Sequence, residues 1–241
     1  MIGLGTIINS GGIVLGGIFG LLFGKLLKER HQESLCKSCG ISVMFIAIAG
    51  AMEKMLAIEK GGLTSGKAML VTACLTLGTL IGELINIEGL FERFGEWLKR
   101  KTGNSGDNNF VTGFMNASFT VSIGAMAIMG AIQDGISGDW SILATKSILD
   151  LIIVMVMTGS MGVGCIFSAI PVFVFQGAIT LLAVFIKPYM TELAVSYISL
   201  VGSILIFCVG VNLVWGKKVR VANMIPAVLL AVAAAFLPIS W

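Results

Sequence analysis

Lys146 and Asp150 stand four residues apart inside an otherwise apolar run. At that spacing two side chains share one helical face and can pair. One use of such a pair is an ion pair near a membrane interface, with the lysine reaching for water. The other is a site in which Asp150 binds a cation or a proton. A charge near the centre of a bilayer costs at least ~2.5 kcal/mol to insert, so charges retained there mark pathways. Uncharged amides carry the same argument more weakly. Gln176 follows Pro171 by five residues, and Asn9 and Ser10 precede a run of glycines. A proline removes a backbone bond and loosens its helix. Gln176 therefore either lines a path or makes an interhelical hydrogen bond worth ~0.6–2 kcal/mol. Asn116, Ser118 and Asn212 lie in further apolar runs, and Glu83 lies late in another, beside Gly82. Residues 160–164 read either as a re-entrant turn lining a cavity or as a tight connection.

The same inventory speaks against catalysis. The chain has one histidine, His31, and no Gly-rich phosphate loop, so a Ser-His-Asp arrangement is implausible. Cys36 and Cys39 form a Cys-x-x-Cys pair with no second pair to complete a zinc site; they read as reduced thiols. Thirteen methionines, among them Met126 and Met129 three apart, read as flexible apolar filler. No enzyme activity, metal, cofactor or nucleic-acid partner is expected.

Positioning these groups requires a membrane. Of 241 residues, 56% are hydrophobic and only 12% charged, against roughly 25% charged in soluble domains. A membrane helix needs ~20 apolar residues. Runs of that kind cover 2–24, 39–52 (short), 68–87, 110–132, two within 147–186, 194–215 and 221–237, eight in all. The stretch 87–101 differs: Ile87, Leu90, Phe91, Phe94, Trp97 and Leu98 share one helical face, with charges opposite. It reads as an amphipathic helix in the headgroup layer, or as a soluble helix packed on a neighbour. Lys25, Lys28, Arg30, Lys37, Arg93, Lys99 to Lys101, Lys217, Lys218 and Arg220 occupy one set of loops; Lys54, Lys60, Lys67, Lys146 and Lys187 occupy the other. Eleven against five places the first set in the cytosol and both termini outside.

Two patterns suggest how the helices pack. Gly12, Gly16, Gly20 and Gly24 recur every fourth residue and carve one groove along the first helix. In lipid, close approach of backbones replaces the hydrophobic effect as the force between helices. The groove therefore packs on another helix, in the monomer or in a homo-oligomer. Residues 7–52 also align without gaps beside 167–212, matching Gly17 with Gly177 and Gly50 with Gly210. This divides the single membrane domain, 1–241, into a first repeat (1–87), a connector (88–109), two central helices (110–160) and a second repeat (165–241). Five passes separate the first helix from its counterpart, so the copies would lie inverted, a recurring basis of alternating access.

Several segments together resemble a known family: Gly5-Thr-Ile-Ile-Asn9 with its glycines; Ser118 and Val121-Ser-Ile-Gly124 through Gln133-Asp-Gly135; Lys146-Ser-Ile-Leu-Asp150; Ser168-Ala-Ile-Pro171 with Gln176-Gly177; and Gly210-Val-Asn212. The chain is similar over its whole length to the domain-of-unknown-function family that includes YqgA and YdfK. The resemblance implies a multi-span inner-membrane protein of a prokaryote and lends no site residues. The expectation is an all-α polytopic protein in which a small secondary transporter or channel moves a small ion or polar solute across the cytoplasmic membrane. The alternative is a scaffold or signalling partner whose glycine groove binds other helices.

Overall fold

The computed structural model describes residues 2–24, 28–59, 62–122 and 125–238, less the side chains of Glu29, Gln32, Leu35, Cys36, Ile58, Glu59 and Ala125. Lys25, Lys60, the Cys36 thiol and the Ile123-Gly124 step of the family motif therefore lie outside the described part.

The chain is helical almost throughout. In order come α1 (Leu4–Gly24), α2 (Glu29–Met55), α3 (Ala68–Ile85), α4 (Ile87–Lys101), α5 (Phe110–Ser122), α6 (Ala125–Ser137) and α7 (Ser141–Met161). A 3-10 turn (Val163–Ser168) leads into α8 (Ala169–Leu181), followed by α9 (Ala183–Ile186), α10 (Glu192–Trp215), α11 (Val221–Met224) and α12 (Pro226–Ala234). Among the described residues six segments are long and apolar enough to cross a bilayer: α1, Lys37–Met55, α3, α7, Val163–Leu181 and α10. The α5–α6 pair makes a seventh only as a broken span, bent by 62°, and Val221–Ala234 is apolar but shorter.

Four local features depart from the sequence expectation. The second apolar segment begins at Lys37, not 39, so its length needs no thinned bilayer. The fourth run is broken and extends to Ser137. A two-stranded antiparallel hairpin, β1 (Leu56–Glu59) with β2 (Gly62–Ser65), follows α2 in an otherwise all-α chain and pairs Leu56 with Ser65. Pro171 is the third residue of α8. There its missing N–H is one of the donors that any helix start leaves unpaired. The proline therefore does not loosen α8, and Gln176 sits in regular helix.

The glycines fix how α1 packs. Gly12 abuts Ser147, Gly16 abuts Leu151, Gly20 abuts Met155 and Gly24 abuts Gly159. The separation is 135 residues at every step, so α1 and α7 run parallel and in register. A Cβ at Gly16 or Gly20 would collide with the Leu151 or Met155 carbonyl oxygen. Such close approach suits dispersion and weak Cα–H···O contacts. An odd number of passes must separate two parallel helices; α2 and α3 supply two, and the bent α5–α6 pair supplies the third.

The other long contacts run the opposite way. Thr6 meets Thr180, Asn9 meets Gln176 and Gly17 meets Ile166, so α1 and α8 are antiparallel. Gly40 lies on Leu213 and Val214 while Gly50 lies on Ser203, so α2 and α10 are antiparallel. Gly78 lies on Ala227 and Gly82 on Asn223, giving the same sense for α3 against α11 and α12. Phe45, Ile46, Leu84, Leu181 and Phe185 point outward, as lipid-facing side chains do.

The amphipathic helix α4 uses both halves of its apolar face. Gly95 and Leu98 are buried, and Phe91 meets the Phe119 ring at 5.0 Å. Leu90 and Trp97 remain exposed beside them. Half the stripe thus packs on α5, and half is free for the headgroup layer.

Candidate functional site

At 1.5 Å per residue the 21 residues of α7 span about 30 Å, the thickness of a hydrocarbon core. Asp150 falls at the middle of that length. Its Oδ2 is 2.5 Å from the Lys146 ammonium, and both side chains are buried. The lysine has a second partner, donating to the Val121 carbonyl at 2.7 Å. That contact has a local cause. α5 ends at Ser122, and the last carbonyls of a helix lack intrahelical donors. The ammonium supplies one.

Two amides complete the junction. Asn9 donates from Nδ2 to Gln176 Oε1 at 3.2 Å, and its side chain also lies against the Asp150 carboxylate. Both amide residues are wholly buried. Ser147 donates to the Ile8 carbonyl at 2.9 Å, tying α7 to α1 beside them. Among the described residues, Asn9 Oδ1, Gln176 Nε2 and Ser122 Oγ are buried without a hydrogen-bond partner. Native interiors leave few such atoms unpaired. The junction therefore holds an ion pair, a carbonyl from a broken helix, and unspent donors and acceptors where α1, α5, α7 and α8 meet.

The remaining candidates lie elsewhere. Glu83 is exposed at the end of α3 and pairs with Arg220 at 3.0 Å. Asn212 accepts from the Lys218 and Val219 amides and donates to the Val219 carbonyl, clamping residues 216–220. Ser118 donates to the Phe114 carbonyl of its own helix. Asn116 faces a separate cleft. The glycines 12, 16, 20 and 24 are covered by α7 of the same chain. A groove already filled from within is closed to another protein's helix, which removes the surface that the scaffold alternative relied on.

Two features were not singled out from the sequence. Asp134 is fully buried and accepts from the Gly3 and Gly5 amides at 3.2 and 3.0 Å. A carboxylate at a helix N-terminus satisfies orphan donors and meets the positive end of the helix dipole. The signal was a lone acid in an apolar run. The second feature is a half-open cleft of about 330 Å³ between α4, α5 and residues 216–221. Glu88, Glu92 and Glu96 line it at four-residue spacing, and Lys217 reaches Glu88 at 2.7 Å and Glu92 at 2.5 Å. Burial pulls the Lys217 ammonium down, but the two carboxylates outweigh it and hold its pKa above the ordinary lysine value.

Relatives of this chain are found in two distant bacteria. It is 29% identical over 226 residues to the uncharacterized membrane protein YdfK of Bacillus subtilis, covering 94% of this chain and 93% of the relative. It is 28% identical over 232 residues to the uncharacterized protein YqgA of Escherichia coli, covering 95% and 94%. No solved structure matches. With residues 4–236 matching the family as a whole, the chain belongs to the family described as "Protein of unknown function (DUF554)", whose member YdfK is a membrane protein.

Proposed function

We infer that this membrane protein is a small secondary transporter that carries a small polar solute or ion through the junction of Asn9, Lys146, Asp150 and Gln176. The observation that carries the reading is the buried Lys146–Asp150 pair at mid-helix, joined to a broken helix and to amides with unspent hydrogen-bonding atoms. A charge pair at that depth is costly to keep. A cation entering the junction would have to displace Lys146 from Asp150. The pair therefore serves best as the coupling element: protonating Asp150, or binding an anionic or zwitterionic group to Lys146, opens it. The antiparallel contacts of α1 with α8, α2 with α10 and α3 with α11–α12 support two inverted three-helix repeats with the junction between them. The Lys/Arg bias supports a cytosolic side at residues 25–37 and 217–220 and both termini outside, in the cytoplasmic membrane of a prokaryote. The protein acts as a carrier rather than an enzyme.

The test is electrogenic current from proteoliposomes on a solid support. Proton and sodium gradients, neutral amino acids, short alkylamines and short carboxylates serve as probes. At least one class produces a protein-dependent current, and Asp150→Asn abolishes it. The double variant Lys146→Gln/Asp150→Asn separates folding from function, because it removes both charges and leaves neither unpaired. It melts near the wild type yet carries no current. Wild-type current in Asp150→Asn, or no current from the wild type with any probe, refutes the reading.

A further inference from the structure

The cleft beside α4 has a composition that selects a ligand. Its carboxylates outnumber its cations three to one. Lys217 is shared between Glu88 and Glu92, which leaves Glu96 at the rim without an ion-pair partner among the described residues. Behind the carboxylates, Met115, Phe119 and Val221 form an apolar floor. Asn116 lines the same space and is 8% exposed; among the described residues its side-chain amide has no hydrogen-bond partner. An amide that opens into an acidic cleft from an otherwise buried residue is a group that a ligand can reach and hydrogen-bond.

We propose that this cleft binds a small organic cation, with an ammonium group toward Glu96 and Glu92 and a short apolar body on Met115 and Phe119. The volume of about 330 Å³ lies at the small end of ligand pockets and fits such a molecule. A metal ion fits less well. Residues four apart on a helix form a strip with neighbours about 5–6 Å apart, not a chelate, and among the described residues no three acidic, His or Cys side chains converge as metal ligands. Lys217 occupies part of the site as a tethered ammonium, so an incoming amine competes with it for Glu92. The inference goes beyond the transport reading: the cleft shares no residue with the junction of Asn9, Lys146, Asp150 and Gln176, and binding there does not depend on flux through that junction.

The experiment is calorimetric titration of the full chain in lipid nanodiscs with n-butylammonium, and with butyrate as the charge-reversed control. The amine binds saturably and butyrate does not. Glu96→Gln weakens amine binding about tenfold, the factor of one charge-assisted hydrogen bond. Lys217→Gln tightens it by releasing Glu88 and Glu92. Opposite effects from two exposed side chains exclude general unfolding, and melting temperatures measured alongside confirm it. Amine binding that is absent, matched by butyrate, or indifferent to both substitutions overturns the proposal. Asp150-dependent current without amine binding overturns the cleft and leaves the transport reading standing; saturable amine binding to a protein that carries no current with any probe does the reverse.

Discussion

Gly16→Ala is the sharpest probe of the α1–α7 seam. The substitution adds one methyl group where the Leu151 carbonyl oxygen already stands closer than real Cβ atoms approach. Comfortable contact requires roughly 3.5 Å or more, so the two helices must part by about an ångström. Both are backbone at this point, and no flexible side chain can absorb the shift. Overpacking of this kind costs about 1–3 kcal/mol. A gap of that size also forfeits a quarter to a half of the dispersion energy of each neighbouring contact, including those of Gly12 and Gly20. Gly11→Ala is the matched control: it lies five residues away on the same helix, and nothing stands within 4 Å of its Cβ position. Alanine there gains about 0.5–1 kcal/mol of helix propensity. Gly16→Ala carries the same gain, which cancels between the two, so reversible unfolding in mixed micelles should separate the variants by about 1–3 kcal/mol, with Gly16→Ala the less stable. If Gly16→Ala is as stable as Gly11→Ala, the parallel seam described here is wrong.

Other perturbations test other contacts. Asp134→Ala strips the Gly3 and Gly5 amides of their acceptor and should cost about 0.5–2 kcal/mol, with faster hydrogen exchange confined to the first turn of α1. Arg220→Ala breaks an exposed pair with Glu83, and the melting temperature should not move measurably. The Ser141 hydroxyl and amide hold the Asp139 carboxyl below its usual range. Its contribution is therefore present above about pH 4 and is lost as pH falls through the lower folded value; Asp139→Asn should erase that acid-side loss in a melting series. In a cysteine-free background, Lys28→Cys and Lys218→Cys should label from one side of the membrane and Thr64→Cys from the other.

The apolar runs and the stretch 87–101 were readable because a bilayer demands long hydrophobic segments and an interface demands a one-sided helix; α4 has the bounds of that stretch. The break after Ser122 was not readable. Residues 110–132 are apolar on both sides of it, and the group that makes it tolerable, Lys146, is 25 positions from the carbonyl it serves. The hairpin at Leu56–Ser65 was missed because strands of four residues carry too little period to register. The junction shows both sides of the limit. Spacing alone pairs Lys146 with Asp150, but the meeting of Asn9 with Gln176 spans 167 positions, and nothing local in either segment announces it. Asn212 and Glu83 read much like Asn9 in composition, and only packing separates a loop clamp and a surface pair from a core amide.

The constant offset along the glycine seam also bears on how the protein is made. α1 leaves the ribosome 135 residues ahead of the surface it packs on. At about 5–20 residues per second of synthesis, that interval is roughly 7–27 s. During it Asn9 and a bare strip of backbone face lipid or the insertion machinery. α7 arrives carrying a lysine and an aspartate, poor cargo for a helix entering the bilayer alone. The waiting strip gives it a docking rail, and Asn9 on that rail receives the incoming carboxylate.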